Sequence, residues 1–245
     1  MKNLIIIPAR LESTRLPNKA LADINGEPMI VHVYKRAIES GIADVLVAAG
    51  NEEIKIEIEK VGGKAILTNP NHPSGSDRIC EAMNLFDSSR KYDFIINLQG
   101  DLPNINKESL IKIIKLLEEG DADISTLGTK IDNEDDLNNP NIVKAYIEDY
   151  GSSNLVKDFI RQLDGQKKNC LYHHIGIYGY TREALEKFVS LRQTKLEVER
   201  KLEQLRAIEN GMNISLGLTN NLPIGVDTES DLKRVREIME GKIEK

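Results

Sequence analysis

The apolar residues in the first half of the chain form short runs that alternate with amphipathic stretches. Leu4–Ile7 is an apolar run closed by Pro8, a pattern typical of a buried strand. Met29–Ser40 has helical spacing instead, and Gly41 is in place as a C-cap. The same patterns predict strands at 45–49, 64–68, 93–98 and 124–131, and helices at 52–61, 76–87 and 107–119.

This alternation predicts an α/β fold with a doubly wound, mostly parallel sheet and right-handed crossovers. The second half is less regular. It predicts strands at 143–148, 174–180 and 214–218, and helices at 183–189, 196–210 and 231–240. We expect one domain over 1–245, with an inserted region at about 138–182.

Composition narrows the class of protein. With 245 residues and 40% apolar side chains, the chain can bury a sizeable core, and its net charge of −6 argues against general nucleic-acid binding. The N-terminal apolar run is too short for a signal peptide, and no segment approaches the ~20 apolar residues of a membrane span. Cys80 and Cys170 form neither a disulfide framework nor a metal motif, which is compatible with a cytoplasmic protein.

Three cations, Arg10, Arg15 and Lys19, lie in the polar loop directly after the first strand. Ligands of open α/β sheets bind at this edge, and Ser13 and Thr14 add hydroxyl donors suited to phosphate oxygens. A solvated basic loop is the alternative, but the position after a buried strand favours a phosphate site. The loop has neither the P-loop pattern nor G-x-G-x-x-G, which argues against a dinucleotide oxidoreductase.

Two aspartates are candidate metal ligands. Asp101 follows a buried strand, and a carboxylate there can hold Mg²⁺ against a triphosphate, although an ordinary turn aspartate is equally in keeping with the pattern. Asp227 precedes a capping pattern formed by Thr228 and Asp231, so helix capping explains part of this motif. The sequence leaves the pairing of the two aspartates open.

Smaller signals suggest further contacts. The turn at 73–78 opens a helix, and its Arg78 can meet an anionic substrate or simply lie at the surface. His174, Gly176, Tyr178 and Tyr180 share one face of a predicted strand, where a polar pocket wall or a structural histidine fits. We expect most of a later charged group to be solvated surface: Glu197, Glu203, Gln204 and Arg206.

Taken together, the motifs resemble one family over Met1 to about Glu240. They are Ile-Pro-Ala-Arg, Ser-Thr-Arg-Leu-Pro, Ser-Gly-Ser-Asp-Arg, Asn-Leu-Gln-Gly-Asp, His-x-Gly-Ile-Tyr-Gly-Tyr, Leu-Glu-Gln-Leu-Arg and Val-Asp-Thr. In this order they resemble the CMP-Kdo synthetases (3-deoxy-manno-octulosonate cytidylyltransferases). The resemblance implies a three-layer sugar nucleotidyltransferase fold with a smaller mixed or antiparallel dimerisation subdomain. It also implies the reaction CTP + Kdo → CMP-Kdo + pyrophosphate in lipopolysaccharide biosynthesis, a Mg²⁺ requirement and a homodimer.

The resemblance also assigns roles to individual residues. Those implied at the nucleotide are Pro8, Ala9, Arg10, Ser13, Lys19, Ser74, Gly75 and Ser76. Those implied in catalysis are Arg15, Lys19, Asp101 and Asp227, of which Asp101 and Asp227 would hold Mg²⁺. Those implied at the sugar are Arg78, Gln99, His174, Tyr178, Glu203 and Gln204.

The sequence departs from the family pattern in two places. An acidic residue is usual where this chain has Ala49-Gly50-Asn51, and a Ser-Arg-x-x-Ile-Pro stretch is usual at 155–162. In the simplest gap-free alignment, Asp158 occupies the position of the family arginine. We therefore expect Arg161, one helical turn further on, and Arg78 to bind the sugar carboxylate.

Two alternatives to a Kdo enzyme remain at this stage. One is a cytidylyltransferase for a related sugar acid, such as 8-amino-Kdo or another nonulosonate. The other is a non-catalytic nucleotide-binding relative, against which the presence of Lys19 and both aspartates argues.

Overall fold

The computed structural model describes residues 1–120 and 122–242. The chain forms two compact units: Met1–Ile111 with the segment from Pro223 onward, and Lys112–Leu222. The strands are β1 (Asn3–Ala9), β2 (Asp23–Ile24), β3 (Glu27–Pro28), β4 (Asp44–Ala49), β5 (Ala65–Leu67), β6 (Phe94–Asn97), β7 (Ile124–Lys130), β8 (Lys144–Tyr146), β9 (Asp158–Ile160), β10 (Leu171–Thr181) and β11 (Ile214–Leu218). The helices are α1 (Met29–Ser40), α2 (Glu52–Lys60), α3 (Gly75–Phe86), α4 (Lys107–Glu119), α5 (Glu134–Asn138), α6 (Arg182–Ser190), α7 (Lys195–Arg200), α8 (Leu205–Glu209) and α9 (Glu229–Met239).

Parallel strands in the order β6-β1-β4-β5 form the sheet of the first unit. Leu4 of β1 lies opposite Asp44 on one side and Ile95 on the other. The run Leu4–Ile7 has no solvent exposure, and both α1 and α3 contact β1. An apolar run without alternation is what a strand covered on both faces requires.

The carboxyl ends of these parallel strands meet at one edge, where three segments are fixed by backbone or capping hydrogen bonds. Gly50 N–H donates to the Ala9 carbonyl at 2.8 Å. Ser74 is the N-cap of α3, and its hydroxyl oxygen accepts from Asp77 N–H at 3.2 Å. Thr228 and Asp231 form a capping box at the start of α9. Loop residues at this edge therefore have fixed backbones, as a binding site needs.

The second unit contains a mixed sheet. β7 pairs in parallel with β11 and antiparallel with β10, and β8 pairs antiparallel with both β10 and β9. A bulge interrupts the register of β10 between Ile175 and Tyr178. The antiparallel strands β8, β9 and β10 all lie in the region predicted as an insertion.

The predicted α/β class with a mostly parallel sheet is confirmed, and so is each strand and helix predicted up to residue 131, within a few residues at the ends. The single helix predicted over 196–210 is wrong. The chain breaks there into α7 and α8, because Lys201 adopts a left-handed conformation with φ of 55°. The short elements β2, β3, β9 and α5 were not predicted. Among the described residues, no helix has the length and apolar character that a membrane crossing demands.

Candidate active site

A cavity of about 680 Å³ lies at the carboxyl edge of the sheet in the first unit. Its wall contains most of the residues of this unit that were predicted to bind nucleotide, metal or sugar: Pro8, Ala9, Arg10, Ser13, Arg15, Lys19, Ser74, Gly75, Arg78, Gln99, Asp101 and Asp227. Ser76 is instead buried within α3, with 2% exposure. The structure thus brings the basic loop, the start of α3 and both aspartates to one place.

The two aspartates, which the resemblance to the family placed at one metal, meet at a single ammonium group. Lys19 Nζ lies 2.7 Å from Asp101 Oδ2 and 3.0 Å from Asp227 Oδ1. Arg15 reaches the other oxygen of Asp227 at 3.0 Å. Burial opposes the charge of Lys19, but the charges and hydrogen bonds of both carboxylates outweigh it and raise the pKa of Lys19. Lys19 is therefore a cation at neutral pH, and the four side chains balance in charge.

Gly100 allows the turn that carries Asp101 to approach β1. A Cβ atom on Gly100 would lie 2.9 Å from the Pro8 carbonyl oxygen, closer than side-chain carbons come to backbone. Any other residue would push the 99–101 turn away from the basic loop. Glycine at this position thus sets the distance between Asp101 and the cations.

Arg78 is not the surface residue that the sequence allowed. It is buried, and it donates to the Thr68 hydroxyl at 2.6 Å and to the Pro70 carbonyl at 3.2 Å. Burial and the nearby Arg10 charge lower the pKa of Arg78. A Cβ on Gly50 would lie 2.8 Å from the Arg78 guanidinium, so glycine at this position leaves room for the Arg78 side chain.

His72 also lines the cavity, and no sequence pattern indicated it. Its Nε2–H donates to Glu81 Oε2 at 2.5 Å, and the same oxygen accepts from Asn69 N–H at 2.9 Å. Although burial works against the charge of Glu81, these hydrogen bonds lower its pKa. Glu81, one helix turn beyond Arg78 on α3, therefore fastens the loop that leads to Ser74.

The histidine predicted at the sugar lies in the second unit and is neutral. Burial, followed by the neighbouring His173, lowers the pKa of His174 to about 3. Thr126 Oγ1 donates to the Ile177 carbonyl at 2.8 Å and lies 3.0 Å from His174 Nε2. Because the hydroxyl has one proton, Nε2 of His174 carries hydrogen and donates to Thr126. The other ring nitrogen, Nδ1, is then an acceptor.

Three other predicted sugar residues, Tyr178, Glu203 and Gln204, line a narrow cavity of the second unit together with Tyr180 and Phe188. Burial raises the pKa of Tyr178 well above its usual value, and Tyr180 and Glu203 add to the shift. Ring centroids of His174 and Tyr178 lie 5.5 Å apart, and those of Tyr178 and Tyr180 lie 6.2 Å apart. The rings of His174, Tyr178 and Tyr180 therefore lie next to one another, as the strand pattern predicted. His174 and Tyr178 offer neutral hydrogen-bonding groups.

Comparison with known proteins identifies the family. Residues 4–214 match the family model described as cytidylyltransferase. The 3-deoxy-manno-octulosonate cytidylyltransferase of Paramagnetospirillum magneticum is 44% identical over 238 residues, which cover 96% of this chain and 97% of the relative. The chain belongs to the 3-deoxy-manno-octulosonate cytidylyltransferase family. The relative of the same name from Methylorubrum populi is 46% identical over 237 residues, 96% of each chain.

Solved structures agree with membership in the cytidylyltransferase family. CMP:2-keto-3-deoxy-manno-octonic acid synthetase, solved in complex with CTP, superposes with a TM-score of 0.89 at 34% identity, over 99% of this chain and 100% of the other. A cytidylyltransferase from Leptospira borgpetersenii has a TM-score of 0.66 at 18% identity and covers 98% of this chain and 87% of its own. At that identity, the second likeness shows the fold alone.

This cytidylyltransferase pairs Asp158, the residue at its second departure from the family pattern, with an unpredicted arginine. Arg200 donates to both oxygens of Asp158, at 2.8 and 2.9 Å. Arg161 donates to the carbonyls of Pro140 and Asn141 at 3.4 and 3.3 Å. The segment is strand β9 rather than a helix, so the expectation that Arg161 lies one helical turn beyond Asp158 is wrong.

The expectation of a solvated charged helix in the second unit is also wrong for most of its residues. Arg206 and Glu197 form a buried ion pair with nitrogen–oxygen distances of 2.5 and 2.9 Å, and the Arg206 guanidinium lies over the Phe188 ring at 4.9 Å. Although burial opposes the charge of Glu197, Arg206 lowers its pKa. This pair ties α7 to α8 and so fixes the turn that presents Glu203 and Gln204.

Proposed function

We propose that the protein transfers the cytidylyl group of CTP to 3-deoxy-manno-octulosonate (Kdo) and releases pyrophosphate. The sequence identity of this chain to relatives named 3-deoxy-manno-octulosonate cytidylyltransferase carries the proposal. It is 44% and 46% for two of them, over nearly the whole chain. The solved neighbour with a TM-score of 0.89 was bound to CTP, which supports a nucleotide role for the corresponding fold.

The cavity of the first unit suits a triphosphate. Arg10, Arg15 and Lys19 bring positive charge to the loop after β1, and Ser13 adds a hydroxyl. In phosphoryl transfer the transition state carries dispersed negative charge, so catalysis depends on cations that are already in place. On this proposal, Arg15 and Lys19 stabilise the departing pyrophosphate, while Ser74 and Gly75 contact the cytidine.

The bond changes of the proposed reaction are simple. The oxygen of the anomeric hydroxyl of Kdo attacks the α-phosphorus of CTP in line, and the bond from that phosphorus to the oxygen that bridges it to the β-phosphate breaks. That oxygen leaves with pyrophosphate, and the hydroxyl proton is released to solvent. The protein supplies position and charge, since little covalent work is left to it. Arg78, Gln99, His174, Tyr178, Glu203 and Gln204 are proposed to contact the sugar acid.

Asp101 and Asp227 fit a magnesium ion. Both offer hard oxygen ligands, and both already bind one cation, the ammonium of Lys19. The described residues contain no cluster of three or more His, Cys, Asp or Glu side chains suited to a metal. Two carboxylates are enough for this site, because proteins usually bind Mg²⁺ with one or two carboxylates together with substrate phosphates. When bound, the ion would neutralise phosphate charge and lower the pKa of the attacking hydroxyl.

Pyrophosphate release from CTP and Mg²⁺ tests the proposal, measured with Kdo, with 8-amino-Kdo, with another nonulosonate and without sugar. The proposal requires rapid release with Kdo and none without an acceptor. A marked preference for another acid would favour the related-acid alternative. Absence of release with every acceptor, despite CTP binding, would favour a non-catalytic relative. We also propose the homodimer that the family resemblance implies, and light scattering of the purified protein checks it separately.

A further inference from the structure

Lys19 occupies the place between the two carboxylates that are proposed to hold the metal. Its Nζ lies 2.7 Å from Asp101 Oδ2 and 3.0 Å from Asp227 Oδ1, and its side chain is 19% exposed. Magnesium binds oxygen ligands at about 2.1 Å and demands a near-ideal octahedral arrangement. The Lys19 ammonium is hydrogen-bonded to the same two oxygens and occupies the position that such an ion would take. Because both are cations, they repel each other. Both cannot bind this pair of oxygens together.

The carboxylates do not depend on Lys19 for their backbone positions. Val226 N–H donates to the Asp101 carbonyl at 3.0 Å, and Asp227 N–H donates to Asp231 Oδ2 at 3.1 Å. The Lys19 side chain is a flexible stem that carries a compact charge, so it can move while both carboxylates stay in place.

We propose that Lys19 is an internal competitor of the divalent cation and that the triphosphate relieves this competition. With no nucleotide, the ammonium binds Asp101 and Asp227 and weakens metal binding. Phosphate oxygens then draw Lys19 and its neighbour Arg15 away, which frees the carboxylates for the metal. Nucleotide and metal therefore strengthen each other's binding, and linkage makes this coupling equal in both directions.

This inference rests on the proposed function, because it assumes a metal–nucleotide substrate. The competition explains why two cations of the phosphate-binding loop, Arg15 and Lys19, form ion pairs with aspartates. It also makes a counterintuitive prediction: removal of a positive charge from Lys19 strengthens metal binding when nucleotide is absent. A lysine that only binds phosphate would leave that affinity unchanged.

The test is the affinity for Mn²⁺ without nucleotide, measured by the loss of the free-ion EPR signal. Lys19→Met keeps the length of the side chain and removes its charge, and Lys19→Gln is a second neutral variant in case the first fails to fold. We expect either variant to bind Mn²⁺ more tightly than wild type by roughly 5- to 150-fold, the usual range of coupling between sites. Adding Asp101→Asn to the variant should remove the gain.

Lys35→Met is the matched control. Lys35 also pairs with a carboxylate, that of Glu27 at 2.5 Å, but away from the cavity wall. Its Mn²⁺ affinity should equal that of wild type. An unchanged or weaker affinity in folded Lys19→Met or Lys19→Gln would overturn the inference. Since the binding assay contains no nucleotide or sugar, that result would leave the proposed reaction intact. Absence of Kdo-dependent pyrophosphate release by the wild type would instead contradict the proposed function, whatever the Mn²⁺ affinities are.

Discussion

The backbone N–H of Val226 donates to the carbonyl of Asp101 at 3.0 Å, which ties the turn after β6 to the segment before α9. Through this bond, two carboxylates that are distant in sequence reach one ammonium, that of Lys19. The motifs taken singly left the pairing of the two aspartates open, and the resemblance to the family placed them at one metal. The backbone contact shows how the fold brings them together.

Asp101→Asn should abolish most of the activity without unfolding the protein. The amide keeps the shape of the side chain but removes the charge that would hold a metal, and we expect kcat/KM to fall by roughly 100- to 1,000-fold. Pyrophosphate release and circular dichroism together check this result. Asp93→Asn is the control, because that carboxylate accepts from the exposed Lys2 N–H and does not line the cavity. Near-normal turnover in Asp101→Asn would remove Asp101 from the metal site.

Glu81→Gln should weaken CTP binding more than it slows turnover. The substitution takes away the charge that holds His72 at 2.5 Å, so the loop before Ser74 loses a fixed position. We expect KM for CTP to rise several-fold, a loss of about 1 kcal/mol, with kcat nearly unchanged. Glu57→Gln removes a comparable ion pair, with Lys60 at 2.6 Å on α2, and should change neither constant. Equal effects of both variants would contradict a positioning role for Glu81.

Protonation of His174 should destabilise the protein in acid. Its folded-state pKa is about 3, against an ordinary value of 6.5, so between these values the unfolded chain binds a proton that the folded chain does not. Stability is therefore complete above pH 6.5 and is lost as the pH falls toward 3, by up to about 1.4 kcal/mol per pH unit from this group. Urea unfolding across this range should show a steeper loss in wild type than in His174→Gln. Parallel curves would show that His174 is not buried in its neutral form.

The sequence-based expectation that Arg161 binds the sugar carboxylate predicts that Arg161→Ala raises KM for Kdo and leaves KM for CTP nearly fixed. A guanidinium and a carboxylate form a bidentate, charge-assisted pair, which alanine cannot make. Arg200→Ala is a useful comparison, because the Arg200 guanidinium already donates to both carboxylate oxygens of Asp158, at 2.8 and 2.9 Å. If Arg161→Ala changes neither KM while Asp158→Arg improves Kdo use, Arg161 does not bind the sugar carboxylate.

Much of the fold could be predicted because each element up to residue 131 carries a local signal. Leu4–Ile7 and its counterparts are continuous apolar runs, and Gly41 ends α1 with φ of 66° as the pattern indicated. The candidate site was predicted for the same reason, since its loops directly follow buried strands. Positions within the chain, rather than residue types alone, made the basic loop and Asp101 recognisable.

The misses have a common cause: each depends on a backbone conformation or a side-chain pairing that the local sequence pattern does not encode. The left-handed conformation of Lys201 is not indicated by the pattern of apolar and polar residues around it. The break between α7 and α8 could therefore not be predicted. Charged residues on a helix are usually solvated, and nothing in the sequence showed that Glu197 and Arg206 bury each other's charge. His72 gave no signal either, because its partner Glu81 lies on the far side of the loop that the two residues fasten.

Pyrophosphate release from CTP and Mg²⁺ by the wild-type protein, measured with and without Kdo, tests the proposed reaction most directly. We expect Kdo-dependent release in equal amounts with CMP-Kdo, and its loss in Asp101→Asn but not in Asp93→Asn. Release that does not depend on Kdo, or that persists in Asp101→Asn, would contradict the proposed reaction.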